Sequence, residues 1–417
     1  MRLTSTPARD ALRSTQERRR SLWSATNRLA VPGAIAGLGW LGFVLARWQV
    51  WAGGKISRFV LLGTYYSHSR YLPAGMHVAD PGAKGYDGQF YYRLAVNPFN
   101  WHRTAYGITM DETYRYSRIG YPIVVWLGSF GQHGWIPVAL VVVNLICVAA
   151  MAVLGGMFAR DAGRHALWGL AFAAYFGLVI SVGRDTAEPL AEACMLAGLL
   201  AYRRGRWVLA GVAFGYGGIT RETILLAPAA IAVVRLALLA RRKTRLSRVD
   251  LAWIIPAVAL AALQLAVRLS VHGGQWPLVT DVNRNLTAPF GALSSAVRYA
   301  SAQIDTSHLG VYDVTLLESA TLAIFALAGF AVLFVTTAPV HERIAFVGAV
   351  LVVCALSNQI WGSVFGDGRS MIEVYLLAMI LLIATPKRYL NVYWLGAITA
   401  CCGPALYVVA RRRILYM

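Results

Sequence analysis

Apolar residues in this chain come in long runs broken by short polar clusters. The runs occupy about 31–50, 135–157, 165–183, 187–203, 207–220, 222–240, 250–272, 313–336, 343–360, 371–385 and 388–410. Crossing the ~30 Å hydrocarbon core of a bilayer takes about 20 apolar residues in helix. The runs therefore predict membrane helices with soft ends, since several fall short of that length. The stretch 119–131 is also apolar, but it is short and holds Gly120, Pro122, Gly128 and Gly131. The expected fold is all-α: a polytopic integral membrane protein with about 11 transmembrane helices.

Charge sets the expected topology. Basic residues cluster at Arg18-Arg19-Arg20, Arg203-Arg204, Arg241-Arg242-Lys243, Lys387-Arg388 and Arg411-Arg412-Arg413. Such patches hold short loops on the cytoplasmic side, against anionic lipid. An even number of crossings must then separate the N-terminal tail from the 241–248 patch. Counting 119–131 as a span gives seven crossings. Omitting it gives six and puts 160–164, 203–206 and 241–248 inside. We therefore expect 119–131 to lie at the outer interface. The resulting organisation is a basic cytoplasmic tail (1–29), a single transmembrane domain (30–410) and a basic C-terminal tail (411–417). Within the domain, 51–134 forms a long first extracytoplasmic loop with interfacial helices, 273–312 forms a second, and 361–370 is also outside. Arg411-Arg412-Arg413 falls outside if 388–410 crosses fully, against the rule, and Gly403-Pro404 offers a break there.

Composition agrees. Of the 417 residues 58 % are apolar and 14 % charged, against roughly a quarter charged in soluble proteins. Mean hydropathy is +0.54. The net charge of +20 is spread over loops rather than along a soluble face, so membrane lipid, not nucleic acid, is the expected partner. Cys147, Cys194, Cys354, Cys401 and Cys402 all lie in apolar runs without zinc-ligand spacing and read as small core residues.

Ionisable residues at membrane depth are costly and mark function. Arg184, Asp185 and Glu188 lie between two runs, as do Arg221 and Glu222; Arg268 ends another; Asp367, Arg369 and Glu373 precede 371–385. The six-crossing topology puts all of them at the outer face. Arginines at helix ends can snorkel, but that does not explain the acids beside them. Glu188 and Glu192 share a helix face at i and i+4. Arg184 and Arg221 are the expected partners of Glu188, and a structural salt bridge is the expectation for Glu192.

The first outer loop carries Gly85-Tyr86-Asp87-Gly88-Gln89-Phe90-Tyr91-Tyr92-Arg93. An acid amid aromatics suits a sugar, whose C–H face packs on rings while its hydroxyls bond to the carboxylate. A second patch, Tyr114-Arg115-Tyr116-Ser117-Arg118-Ile119-Gly120-Tyr121-Pro122, offers arginines for phosphate. An interfacial aromatic belt is the plainer alternative for both, although a belt needs no acid.

Together these features resemble the GT-C superfamily of membrane glycosyltransferases, which use polyprenyl-phosphate sugars. The carriers are YDGQFYY early in a long outer loop, Tyr121-Pro122 leading an interfacial helix, the Arg184-Asp185-x-x-Glu188-Pro189 turn and the Thr220-Arg221-Glu222 turn. The likeness runs over roughly 30–385 and is strongest to bacterial members that build cell-surface glycopolymers. It implies a bacterial inner-membrane enzyme with an extracytoplasmic active site. In that superfamily an acid near the start of the first outer loop is the general base on the acceptor hydroxyl, and Asp87 matches it. Arg221, Arg369, Arg184 and Arg118 are the candidates, in that order, to stabilise the departing phosphate. Tyr86, Gln89, Tyr91, Tyr92, Asp185, Glu188, Glu222 and Asp367 are candidates for sugar or acceptor. No cofactor is expected, and no metal-ligand cluster stands out. No large C-terminal domain such as many members of that superfamily carry is expected, so the acceptor, a glycan or glycolipid, is expected at a shallow site formed by 51–134 and 273–312. A transporter or flippase of a lipid-linked or anionic substrate is the main alternative, although neither a midplane site nor inverted repeats are evident.

Overall fold

A computed structural model describes residues 26–271, 275–303, 311–361, 366–388 and 390–398. Most of the N-terminal tail, the end of the last expected span and Arg411-Arg412-Arg413 lie outside the described residues, as does the side chain of Asp367.

The chain is mostly helical. After α1 (Ala30–Val50), the long loop carries β1 (Leu62–Gly63), β2 (Val78–Asp80), α2 (Gly88–Val96), β3 (Thr104–Ala105), β4 (Ile108–Thr109), a 3-10 turn at Thr113–Ser117 and α3 (Gly120–Gly128). Strands β1 and β2 pair in parallel, and β3 and β4 antiparallel. Helix α4 (Ile136–Asp161) follows, then a 3-10 helix at Ala166–Ala173, α5 (Gly177–Gly183), α6 (Glu188–Arg203), α7 (Trp207–Thr220), α8 (Leu226–Ala240) and α9 (Leu251–Ser270). Two short helices, α10 (Pro277–Asn285) and α11 (Gly291–Ala302), lead to α12 (Val311–Val332) and α13 (Val340–Cys354). Next come α14 (Asn358–Trp361), α15 (Gly366–Ser370) and α16 (Ile372–Ile383).

Among the described residues up to 385, helices thus occupy the apolar runs. Among the described residues, five are long and apolar enough to cross a membrane, or six if the 166–173 and 177–183 pair, bent by 66°, counts as one. That number supports a membrane-embedded helical protein. The pair breaks where Tyr175 turns inward and donates its hydroxyl to the Gly368 carbonyl, 2.6 Å away.

Small residues let these helices touch backbone to backbone. A Cβ on Gly169 would lie 2.1 Å from the Ala152 carbonyl oxygen and 2.4 Å from the Gly156 nitrogen. Helix α16 sits at the centre, with all of its residues buried.

Helix α3 has nine residues, about 14 Å at 1.5 Å per residue and less than half of a hydrocarbon core. It is pinned at its start. The Tyr216 hydroxyl donates to the Gly120 carbonyl (2.7 Å), and the Tyr121 hydroxyl to the Leu140 carbonyl (2.8 Å).

Candidate active site

Three short connections and the long loop converge on one cavity of about 470 Å³, within the ~300–1,000 Å³ of ordinary small-ligand sites. Among the described residues five arginines (Arg115, Arg118, Arg221, Arg284 and Arg369) and four acids (Asp87, Glu188, Glu222 and Asp281) line it. The other wall is aliphatic, with Leu225, Leu226, Ala229, Val352 and Leu356.

Asp87 stands immediately before α2 and makes no side-chain cap. Its carbonyl accepts from the Phe90 and Tyr91 amides instead, which leaves the carboxylate free to face the cavity. One oxygen meets Arg115 Nη1 at 2.8 Å and the other Arg369 Nη2 at 2.8 Å. Burial pushes its pKa up, but the two guanidiniums outweigh burial and hold it below the usual carboxylate range.

The loop reaches this position because Gly88 lies flat on the 184 turn. A Cβ there would sit 2.4 Å from the Arg184 carbonyl oxygen and 2.8 Å from that of Val60. Gly88→Ala is therefore expected to cost about 1–3 kcal/mol and to lift Asp87 away from its arginines. A melting temperature unchanged from wild type by thermal unfolding would contradict this docking.

The ion pairs continue around the wall. Arg369 Nη1 also reaches Glu188 (3.3 Å). Arg221 Nη1 bonds to Glu188 (2.7 Å) and its Nε lies 3.5 Å from Glu373; Thr223 donates its hydroxyl to Glu373. Arg118 joins Glu222 (2.9 Å) to Asp281 of α10 (3.1 Å). The turns at 184–188 and 221–222, the segment around Arg369 and the loop bearing Asp87 thus meet at one place.

Not every expected residue faces it. Tyr86 lines the cavity, whereas Gln89, Tyr91 and Tyr92 do not, because α2 is buried along its whole length. Gln89 braces the loop, donating to the Lys84 carbonyl (2.8 Å). Tyr91 packs edge-on against Tyr121, and the Tyr92 hydroxyl is buried without a hydrogen-bond partner. The notion of these rings as a sugar platform is corrected accordingly.

Arg184 stacks on the Tyr86 ring at 4.3 Å and is not part of the cavity lining. Asp185 adopts a left-handed backbone (φ 51°) and is fully buried, with no hydrogen-bond partner for either oxygen. Burial drives its pKa well up, and Arg47 offsets this only in part. It belongs to the packing beneath the site rather than to a sugar contact. The salt bridge expected for Glu192 does not form: among the described residues no arginine, lysine or histidine pairs with it. Glu188 is held by Arg221 and Arg369 where Arg184 was also a candidate.

In the sequence Arg115 stands out only as part of its aromatic patch, and Asp111, Asp281, Arg284 and Thr223 carry no signal of their own. The described residues hold no group of three or more His, Cys, Asp or Glu arranged to bind a metal. No family model matches the chain, and neither the curated proteins nor the solved structures give a match.

Proposed function

We propose that this chain is a multi-pass glycosyltransferase of GT-C type, transferring a sugar from a polyprenyl-phosphate donor to a glycan or glycolipid acceptor. The proposal places it in a bacterial inner membrane, with about 11 spans, α3 at the outer interface and the site on the extracytoplasmic side. The observation that carries it is Asp87, a loop carboxylate held between two arginines in a cavity with one charged and one aliphatic wall. Sugar phosphate and polyprenyl tail call for those two surfaces together.

In the reaction the acceptor oxygen attacks the anomeric carbon and loses its proton to Asp87. The bond from that carbon to the phosphate oxygen breaks, and polyprenyl phosphate departs with the electron pair. Arg369, Arg221 and Arg118 line the space for the leaving phosphate and neutralise the charge that grows there. Clamped as it is, Asp87 is a weak base. A bound donor phosphate competes for Arg369 and Arg115, which returns Asp87 toward ordinary basicity.

Incubating the purified protein with a panel of polyprenyl-phosphate sugars tests this by mass spectrometry. Release of polyprenyl phosphate together with a new glycoside, or with free sugar where no acceptor is added, is expected. Movement of labelled lipid across a vesicle membrane with no new glycosidic bond would select the transporter instead.

A further inference from the structure

A second cavity of about 850 Å³ adjoins the first. Tyr65, Tyr66, Asp111 and Glu112 of the long loop form one side, and Thr280 and Asn283 of α10 the other. Its chemistry differs from that of its neighbour. Hydroxyls, amides and carboxylates dominate, and among the described residues Met110 is the one aliphatic side chain in the lining. Arg103 and Arg284 balance Asp111 and Glu112, so the cleft has no charge excess to draw a phosphate and no greasy wall to hold a lipid tail. Tyr65 is 66 % exposed, set edge-on to Tyr66 at 4.7 Å between ring centres, and so offers aromatic surface to a ligand. Asn283 is exposed as well.

We infer that this cleft binds a neutral saccharide, the acceptor of the transfer; the inference rests on the glycosyltransferase reading. Sugar C–H faces pack on Tyr65, and hydroxyls pair with Asn283 and Thr280, groups that both donate and accept, and donate to the Glu112 carboxylate. Two features lead from here to Asp87. Arg284 and Gln359 line both cavities, and Arg284 Nε donates to Gln359 Oε1 across the boundary (3.1 Å). A chain of ion pairs also runs from the cleft to the base. Glu112 meets Arg284 (2.6 Å), Arg284 meets Asp111 (3.5 Å), Asp111 meets Arg115 (3.0 Å), and Arg115 meets Asp87 (2.8 Å). The hydroxyl that receives the sugar enters at the Arg284–Gln359 boundary, and Arg284 is a positioning residue.

The test uses the full chain in lipid nanodiscs. Ligand-observed NMR reads binding of methyl glycosides of neutral disaccharides and of one uronate-containing disaccharide. Wild type is expected to bind neutral probes in preference to the uronate. Tyr65→Ala and Asn283→Ala, both at exposed positions and so benign for folding, are expected to weaken binding at least tenfold. No saccharide signal, a preference for the uronate, or equal binding by the variants overturns the proposal. Donor turnover by the same nanodiscs separates the two readings. Saccharide binding lost in the variants, with no polyprenyl phosphate released from any donor, defeats the glycosyltransferase and leaves the cleft. Donor consumption with acceptor transfer undiminished in both variants defeats the cleft and leaves the glycosyltransferase.

Discussion

An Asp87→Asn protein is expected to fold, bind donor and lose about 10²- to 10⁴-fold in glycosyl transfer, the range that a positioned general base contributes. Removing a buried charge often unfolds a site, because its partner is left unpaired at a cost of about 3–5 kcal/mol. Here each partner keeps another. Arg115 retains Asp111, and Arg369 retains Glu188. The amide also remains able to accept a bond from one guanidinium. Loss of activity with an unchanged melting temperature and unchanged donor binding is therefore the expected combination. Transfer at the wild-type rate would remove Asp87 from the mechanism. A collapse in melting temperature would instead make the carboxylate a structural strut between two arginines.

The sequence carried the helical plan because membrane burial writes long apolar runs, and the described helices lie where those runs do. It marked Asp87 for a different reason: an aromatic belt at an interface accounts for the tyrosines but needs no acid among them. It also singled out the two Arg–acid turns and ranked Arg221 ahead of Arg184, although both remained phosphate candidates. Arg184 and Arg221 occupy similar contexts, yet only Arg221 lines the cavity. Backbone geometry makes the difference, with Asp185 in the left-handed region and Arg221 extended (φ −157°), and neither conformation is written in the residue type.

Two other features were hidden for different reasons. Gln89, Tyr91 and Tyr92 look like a ligand platform because aromatic and amide side chains serve packing and sugar equally well. Only the burial of α2 on every side decides between these roles. Asp281 and Arg284 are an ordinary polar pair three residues apart on α10, a helix with the pattern of an exposed surface. What makes them part of the site is that α10 folds back over the 113–117 turn, so that Arg118 reaches Asp281 and Arg284 reaches Asp111 and Glu112. Contacts over more than 150 residues of separation leave no trace in local pattern.

Arg369→Gln is expected to do more than remove one phosphate contact. Losing a preorganised donor to a developing anion costs on the order of 10²–10³ in rate. The same guanidinium also holds down the pKa of Asp87, second only to Arg115 among the charges acting on it. With it gone, the Asp87 pKa rises toward the ordinary carboxylate range. The base form of a carboxylate is lost as pH falls through its pKa, so the variant should show an acid limb at higher pH than the wild type. Stability follows the same sign. A depressed carboxylate pKa contributes stability that is present above the unfolded value and lost as pH falls through the folded one; the variant gives up part of that contribution near neutrality and has less to lose in acid. The loss should stay below the ~3–5 kcal/mol of an orphaned buried charge, because Asp87 keeps Arg115 and Glu188 keeps Arg221. Arg369→Lys supplies the comparison: it restores charge, and with it the acid limb's position, while lacking the planar fork that lets Arg369 serve Asp87 and Glu188 together. Rates at donor concentrations far below saturation, which report the pKa of Asp87 in the donor-free protein, measured against pH for the three proteins read both effects. An acid limb at one pH in all three would mean that Arg369 does not tune Asp87, leaving Arg115 as the group that sets its charge.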